Sequence, residues 1–349
     1  MDSMKNVVFV WLVFIFTSCT WGDKYQNVET FSLDDFKEVR KLEAKTVTFD
    51  SLIMNPTALR VYDSILITVN YHCEKMLHIF NLNTKKQVNQ CLLKGQGPNE
   101  MLQPSFIGND KNRVLLYDGA TFKVMEYELT DLLQNASPVP CRQAQLQQPV
   151  FICANQIGTQ ILGCSHQPDY QIYKYGLNGA LQDKSIPYPT SSISYSDVEK
   201  VDAYYMQFTT NGKDKLALCY CMTDLIEIYG LDGTLIKRLQ GPDHFFAYFK
   251  EVHHGKVVTS SPDRDRLRDA YFSPHNTGDS FWVLYNGMKP MDKSYSFLCK
   301  ELFDFSWDGK PLTRYLLSEG IFAFDVDVKH RKIYGISSSP EYHIVEYDY

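Results

Sequence analysis

No run of lysine or arginine in this chain is long enough to neutralise a line of phosphates, and the net charge is -6, which argues against a nucleic-acid partner. Nor is there an apolar stretch of the about 20 residues that a membrane-spanning helix takes. Nine cysteines are present, yet none forms a C-x-x-C pair, so a zinc ribbon or a thioredoxin-like motif has no support. G-x-S-x-G, H-E-x-x-H and a glycine loop ending in Lys-Ser/Thr are all missing, which removes the familiar nucleophile elbow, zinc protease and phosphate-binding loop. Disorder is excluded from the other side, because 44% of the residues are apolar and 22% charged.

Aromatic residues are abundant, with 23 Tyr and 21 Phe, and such rings suit a pleated surface. They recur in a pattern. Ile172 to Leu181, Ile228 to Ile236 and Phe303 to Leu312 each read as an apolar strand, a turn and a second strand. The turns are Asn178-Gly179, Asp232-Gly233 and Asp308-Gly309, the strongest short-range hairpin signal. An aromatic residue precedes each hairpin turn at Phe80, Tyr127, Tyr175, Tyr229 and Phe305, and Tyr347 closes the series. A spacing near 50 residues, broken once between Tyr229 and Phe305, predicts six units of about four strands, the size of a propeller blade. The last unit is one strand short, and an unused strand near Thr46 supplies it. That closure joins the chain ends and removes a sheet edge. The expected fold is therefore all-β, a six-bladed β-propeller with four-stranded blades over residues 37–349. Blade two is expected to end in an outer strand near Val139, and an insertion of about 241–268 precedes blade five.

The first residues carry an address. Lys5 is followed by the apolar run Val7–Phe16 and then Thr17-Ser18-Cys19. That run suits a signal-peptide core, and small residues before a cysteine resemble a bacterial lipobox, with Phe16 in place of the usual leucine. The expectation is a lipoprotein signal peptide over 1–18, acylation at Cys19 and a tether over 19–36, anchoring the protein without spanning the membrane. Only Asp23 supplies acidity soon after Cys19, so the outer-membrane lipoprotein is read as facing the periplasm. Most remaining cysteines read as small buried hydrophobes. In an exported chain the pair that could close a disulfide is Cys153 with Cys164, which flank a turn at Gly158.

Lys94-Gly95-Gln96-Gly97-Pro98-Asn99-Glu100, between blades one and two, resembles the G-x-G-P-x-E signature of TolB-like six-bladed propeller lipoproteins of Bacteroides-type bacteria. Asn211-Gly212-Lys213 leading to the Asp232 hairpin, and Ala270-Tyr271-Phe272 followed by Phe281 to Gly287, agree with it. The resemblance implies export to the cell envelope and carries no catalytic residues.

Function is sought on the face where blade-to-blade connections and the loops between second and third strands emerge. Register places His72, Asp118, His166, Asp169, Tyr170 and Tyr188 there, and Glu100 joins them from the glycine loop. The insertion adds Arg264 and Arg266, whose guanidinium forks suit a carboxylate or sulfate. No catalytic residue and no cofactor is identified. The preferred reading is a binding or scaffold module for a peptide, glycan or partner protein. The alternative is a metal-assisted hydrolase or lyase at the central channel, and calcium enters only there.

Overall fold

The computed structural model describes residues 24–108, 110–147 and 153–349. Cys19 and the expected signal peptide lie outside them. Six antiparallel sheets form the blades of a ring. Blade one runs Ala58–Tyr62, Ile65–Val69, Lys75–Asn81 and Lys86–Leu93, from the centre outwards. Blade two follows with Pro104–Ile107, Arg113–Asp118, Lys123–Glu128 and Arg142–Gln145. Blade three is Ala154–Ile157, Gln160–Cys164, Ile172–Gly176 and Leu181–Ser185, and blade four Met206–Thr210, Lys215–Tyr220, Leu225–Gly230 and Leu235–Gln240. Blade five takes Tyr271–Asn276, Ser280–Tyr285, Cys299–Ser306 and Pro311–Ile321. Blade six has Ala323–Asp327, Lys332–Ser337 and His343–Asp348, completed by Lys45–Val47.

The repeated aromatics are what the blades are built on. Phe80, Tyr127, Tyr175, Tyr229, Phe305 and Tyr347 each occupy the next-to-last position of a third strand, and each is buried. Full burial of such a ring contributes about 1.5–3 kcal/mol. The hairpin turns after three of these strands place Gly179, Gly233 and Gly309 at φ of 84°, 87° and 78°, the left-handed region that a β-carbon disfavours. At the closure, Ile344 pairs with Val47 and Glu346 with Lys45, and the Lys45 ammonium reaches Asp348 at 2.5 Å.

Two expectations need correction. Val139 is exposed, in a loop after the short helix Leu129–Gln134, and the outer strand of blade two is Arg142–Gln145. The prolines flanking Val139 explain this, since Pro138 and Pro140 donate no hydrogen bond to a ladder. Residues 24–36, expected within a tether, are instead docked on the ring. Glu29–Thr30 adds a parallel edge strand to blade four and Glu38–Leu42 another to blade five. Tyr25, Phe31 and Phe36 are the pins, each less than a tenth exposed. Tyr25 stacks on Phe246 at 4.6 Å, Phe31 meets Phe305 edge-on at 5.4 Å, and Phe36 lies 4.8 Å from Phe303. This belt covers the outer edges of blades four and five before the chain completes blade six. Among the described residues no helix is long and apolar enough to cross a membrane.

Candidate functional site

The glycine loop is a self-contained turn. The Glu100 carboxylate folds back to accept the Gly97 N–H at 2.8 Å. A β-carbon on Gly95 would sit 2.0 Å from that carboxylate, so any larger residue there would displace the Glu100 side chain from its place in the turn. Beneath the loop, the buried Lys123 ammonium donates to the carbonyls of Gln96, Gly97 and Glu100 at 3.2, 2.6 and 3.1 Å. Lys123 was not foreseen, because a lysine opening a strand looks like any solvated one. Asp118 is wholly buried and accepts from the N–H groups of Leu102, Gln103 and Ala120 and from the Thr121 hydroxyl. Burial pushes its carboxyl up, but those hydrogen bonds prevail and hold it below the ordinary range. Glu100 and Asp118 therefore both organise a loop, and the Asp118 carboxylate is saturated by it.

The channel is lined by the innermost strands of all six blades and holds a cavity of about 300 Å³. Its polar side chains bridge neighbouring blades. Asp325 of blade six accepts the Val61 N–H at 2.6 Å and faces His275 at 2.9 Å and Arg60 at 3.8 Å. Arg60 also donates to the Gly108 carbonyl, and Gly108 N–H in turn meets the Asn155 side chain. Gln207 of blade four accepts from Ser273 of blade five at 2.6 Å. Burial raises the Asp325 carboxyl, but His275, Arg60 and the hydrogen bonds to it hold it below the ordinary range. Among the described residues no group of three or more His, Cys, Asp or Glu could hold a metal ion. The channel's buried carboxylate is already matched by two basic side chains, a donor set unlike the oxygen cage that calcium takes.

Three expected residues, His166, Asp169 and Tyr188, do come together above blades three and four. His166, Asp169 and Tyr170 lie on the loop between the second and third strands of blade three, and Tyr188 on the connection to blade four. That connection carries the helix Asp197–Ala203, started by a Ser196–Glu199 capping box. The insertion contributes a hairpin, Phe249–His254 with Val257–Pro262. The hairpin is fastened to the helix by Glu251 N–H to Glu199 at 2.9 Å and by the Ser260 hydroxyl to Asp202. Tyr188, Tyr195 and Tyr204 with Pro168, Pro187, Pro189 and Lys200 line a cleft of about 440 Å³ here.

Tyr204 is the cleft's buried hub, with Tyr188 at 6.0 Å, Tyr195 at 5.5 Å and Tyr25 of the belt at 6.4 Å. The Lys200 ammonium lies over the Tyr188 ring at 5.5 Å. Tyr170, on the same loop as Asp169, is 40% exposed and is not among the residues that line the cleft. Asp169 accepts from Tyr173 and Lys184 at 3.0 Å each. Its slight burial raises the carboxyl, and Lys184, Tyr170 N–H and Tyr173 bring it below the ordinary range. His166 faces Asp202 at 3.3 Å, and burial outweighs that carboxylate to lower the imidazole.

The remaining expected residues stand apart. His72 is exposed on the blade-one loop. Arg264 is exposed, while Arg266 stacks on Tyr248 with its guanidinium 3.0 Å from the ring centre. Of the insertion's three arginines, Arg268 is the one with an ion pair, reaching Asp243 and the Gly287 carbonyl. Below it, Asp224 is wholly buried, and burial pushes its carboxyl up to about 8 although the Asp243 N–H donates to it at 2.8 Å.

The geometry agrees with what the chain resembles. A Bacteroides fragilis NCTC 9343 protein described as exported is 14% identical, over 88% of this chain and 98% of its own, with a TM-score of 0.53. A member of the DUF4221 family from Bacteroides vulgatus ATCC 8482 is 8% identical, over 88% of this chain and 95% of its own, at 0.54. At such identities both bear on the fold alone. No curated protein matches. The family model described as TolB-like 6-blade propeller-like matches residues 34–329, most of the chain including five whole blades, and the protein belongs to that family.

Proposed function

We propose that this protein is a lipid-anchored binding module of the bacterial cell envelope, acylated at Cys19, whose ligand is a peptide or glycan held in the cleft above blades three and four. The observation that carries the reading is the convergence there of Tyr188, Tyr195 and Tyr204 with Lys200. Flat rings with polar tips give a large contact area at low entropic cost. A lysine beside them adds charge without rigid geometry. Extended polar chains, whether sugar or peptide, present the alternating apolar faces and hydrogen-bonding groups that such a cleft matches.

The anchor would sit close to this cleft. The Lys24 N–H donates to Ser192 at 3.0 Å, and the Tyr25 backbone bridges to Ser191 on the cleft wall. Five residue steps separate Cys19 from Lys24, a reach of at most about 18 Å. The binding cleft is then held near the bilayer, and its ligand is membrane-proximal.

Binding is favoured over catalysis by the order of the polar groups. Asp202 stands between His166 and the Ser260 hydroxyl, accepting from the serine while facing the imidazole. Acyl transfer needs the imidazole between hydroxyl and carboxylate, so that it can take the hydroxyl proton. The test is binding of the purified protein to peptide and glycan arrays, beside a Tyr188→Ala/Lys200→Ala variant. At least a tenfold loss is expected for the hits, measured at a temperature at which the melting curve shows the variant folded. Equal binding by the variant would remove the cleft from consideration. Labelling with a palmitate analogue should mark the wild type and not Cys19→Ala.

A further inference from the structure

Cys153 stands just before the first strand of blade three, and Cys164 ends the second. Ala154 pairs with Gly163, so the two cysteines are the next opposed pair in the ladder. The Cys164 N–H donates to the Cys153 carbonyl at 2.9 Å, and the Cys153 N–H to the Cys164 sulfur at 3.1 Å. Their Sγ atoms are 3.2 Å apart. Opposed residues in an antiparallel pair have Cα atoms about 4.5–5.5 Å apart, inside the range of about 4.4–6.8 Å that a disulfide spans. No other pair of cysteine sulfur atoms among the described residues approaches within hydrogen-bonding distance.

We propose that Cys153 and Cys164 are an oxidisable pair that closes to a disulfide in the mature, exported protein. The compartment in this statement rests on the envelope reading above, whereas the pairing rests on geometry. Cys153 lines the channel cavity and is partly exposed, so an oxidant can reach it. Cys164 is fully buried, and burial raises its thiol well above the ordinary value, which makes Cys153 the attacking sulfur. The oxidant is a disulfide, either of an oxidoreductase or of glutathione. The Cys153 thiolate attacks it, forming a mixed disulfide and expelling one thiol. Cys164 then gives up its proton, attacks the Cys153 sulfur and expels the second thiol. Two S–H bonds become one S–S bond, and the oxidant's S–S bond becomes two S–H bonds. The product ties the first strand of blade three to its neighbour at the channel wall, at the open end of the hairpin that turns at Gly158.

The experiment traps thiols with N-ethylmaleimide in cells that export the full chain, followed by tryptic digestion without reductant. Cys153 and Cys164 share one peptide, Gln143 to Lys174. The expected result is a peptide two hydrogens lighter than the dithiol and free of label, which takes two labels after reduction. In parallel, purified reduced protein is treated with oxidised glutathione. Closure in the tube with full labelling from cells would support the pair and overturn the compartment. Failure to close in the tube would overturn the pair. Cys221 lies near enough to interact with both thiols, so a bond from either cysteine to Cys221 would also overturn it. The Cys221→Ser variant should close as the wild type does.

Discussion

Replacing Phe31 with Ala separates a belt from a tether. If residues 24–36 merely linked a lipid to the ring, truncating one side chain there would leave stability unchanged. In the structure the Phe31 ring is 4% exposed and packs on Phe305 and Phe36. Its backbone is fixed as well: the Phe31 N–H donates to the Gln240 carbonyl at 3.0 Å, and the Phe31 carbonyl faces the His244 ring at 3.1 Å. Removing a buried phenylalanine side chain costs about 3–5 kcal/mol. That figure is an upper value, because a peripheral segment can come away before the ring unfolds, and the loss is then limited to the free energy of docking. Two readouts tell these cases apart. Denaturant unfolding reports the global cost, and hydrogen exchange at the amides of 29–42 reports local release. The expectation is either a loss of at least about 2 kcal/mol or belt amides that exchange at least tenfold faster while those of blades one to three keep their protection. A variant within about 0.5 kcal/mol of the wild type, with unchanged exchange at 29–42, would refute the docking argument.

Two further outcomes follow from buried charge. Burial raises the Asp224 carboxyl to about 8, so the folded protein holds a proton there that the unfolded chain releases near pH 4. This group's contribution is full below about pH 4 and is lost as pH rises to about 8, by up to about 1.4 kcal/mol per unit. Asp224→Asn should therefore gain on the wild type across that window in urea titrations, and a constant difference from pH 4 to 8 would contradict the assignment. Lys123→Met removes the donor for three carbonyls of the Gly95–Glu100 loop. An unmet buried acceptor costs about 1–3 kcal/mol, and the loop should become a site of limited proteolysis, while an uncut loop at wild-type stability would show the ammonium to be dispensable.

The ring was legible because its signals are local and repeated. An Asp-Gly turn and an aromatic just before it are set by backbone geometry and by burial within one blade, so each copy can be read alone and the count gives the fold. The belt was not legible. Tyr25, Phe31 and Phe36 match neither the period of two of a strand nor the 3.6 of a helix, and polar residues fill the gaps between them. Their burial is decided by grooves on blades four and five, far along the chain. The site was half legible for a related reason. Register placed His166, Asp169 and Tyr188 together, but it could not tell a free carboxylate from a saturated one. Asp118 has four donors within reach, and three of them are backbone groups that composition does not reveal. Arg60, His275 and Asp325 come from three blades, and only ring closure brings Arg60 of blade one to the other two.

The belt and the cleft are one structure. Tyr204 forms the floor against which Tyr188 and Tyr195 pack, and Tyr25 closes it from below. Tyr204 also meets Tyr220, whose hydroxyl donates to the buried Glu227 at 2.6 Å. Glu227 pairs with Arg238 at 2.6 Å, and Arg238 donates to the Gln26 carbonyl. The segment next to the expected lipid anchor is thus gripped twice, by an aromatic stack and by a buried ion pair, and both grips run through the floor of the cleft. Releasing the belt removes Tyr25 from Tyr204 and leaves Arg238 short of an acceptor. A ligand that needs the packed floor binds the belted form and not the released one. By linkage it strengthens belt docking by the same factor that docking strengthens its own binding. The interruptions of the propeller repeat therefore do more than decorate one face: they connect the place where a ligand would sit to the segment through which the chain would be tied to its membrane.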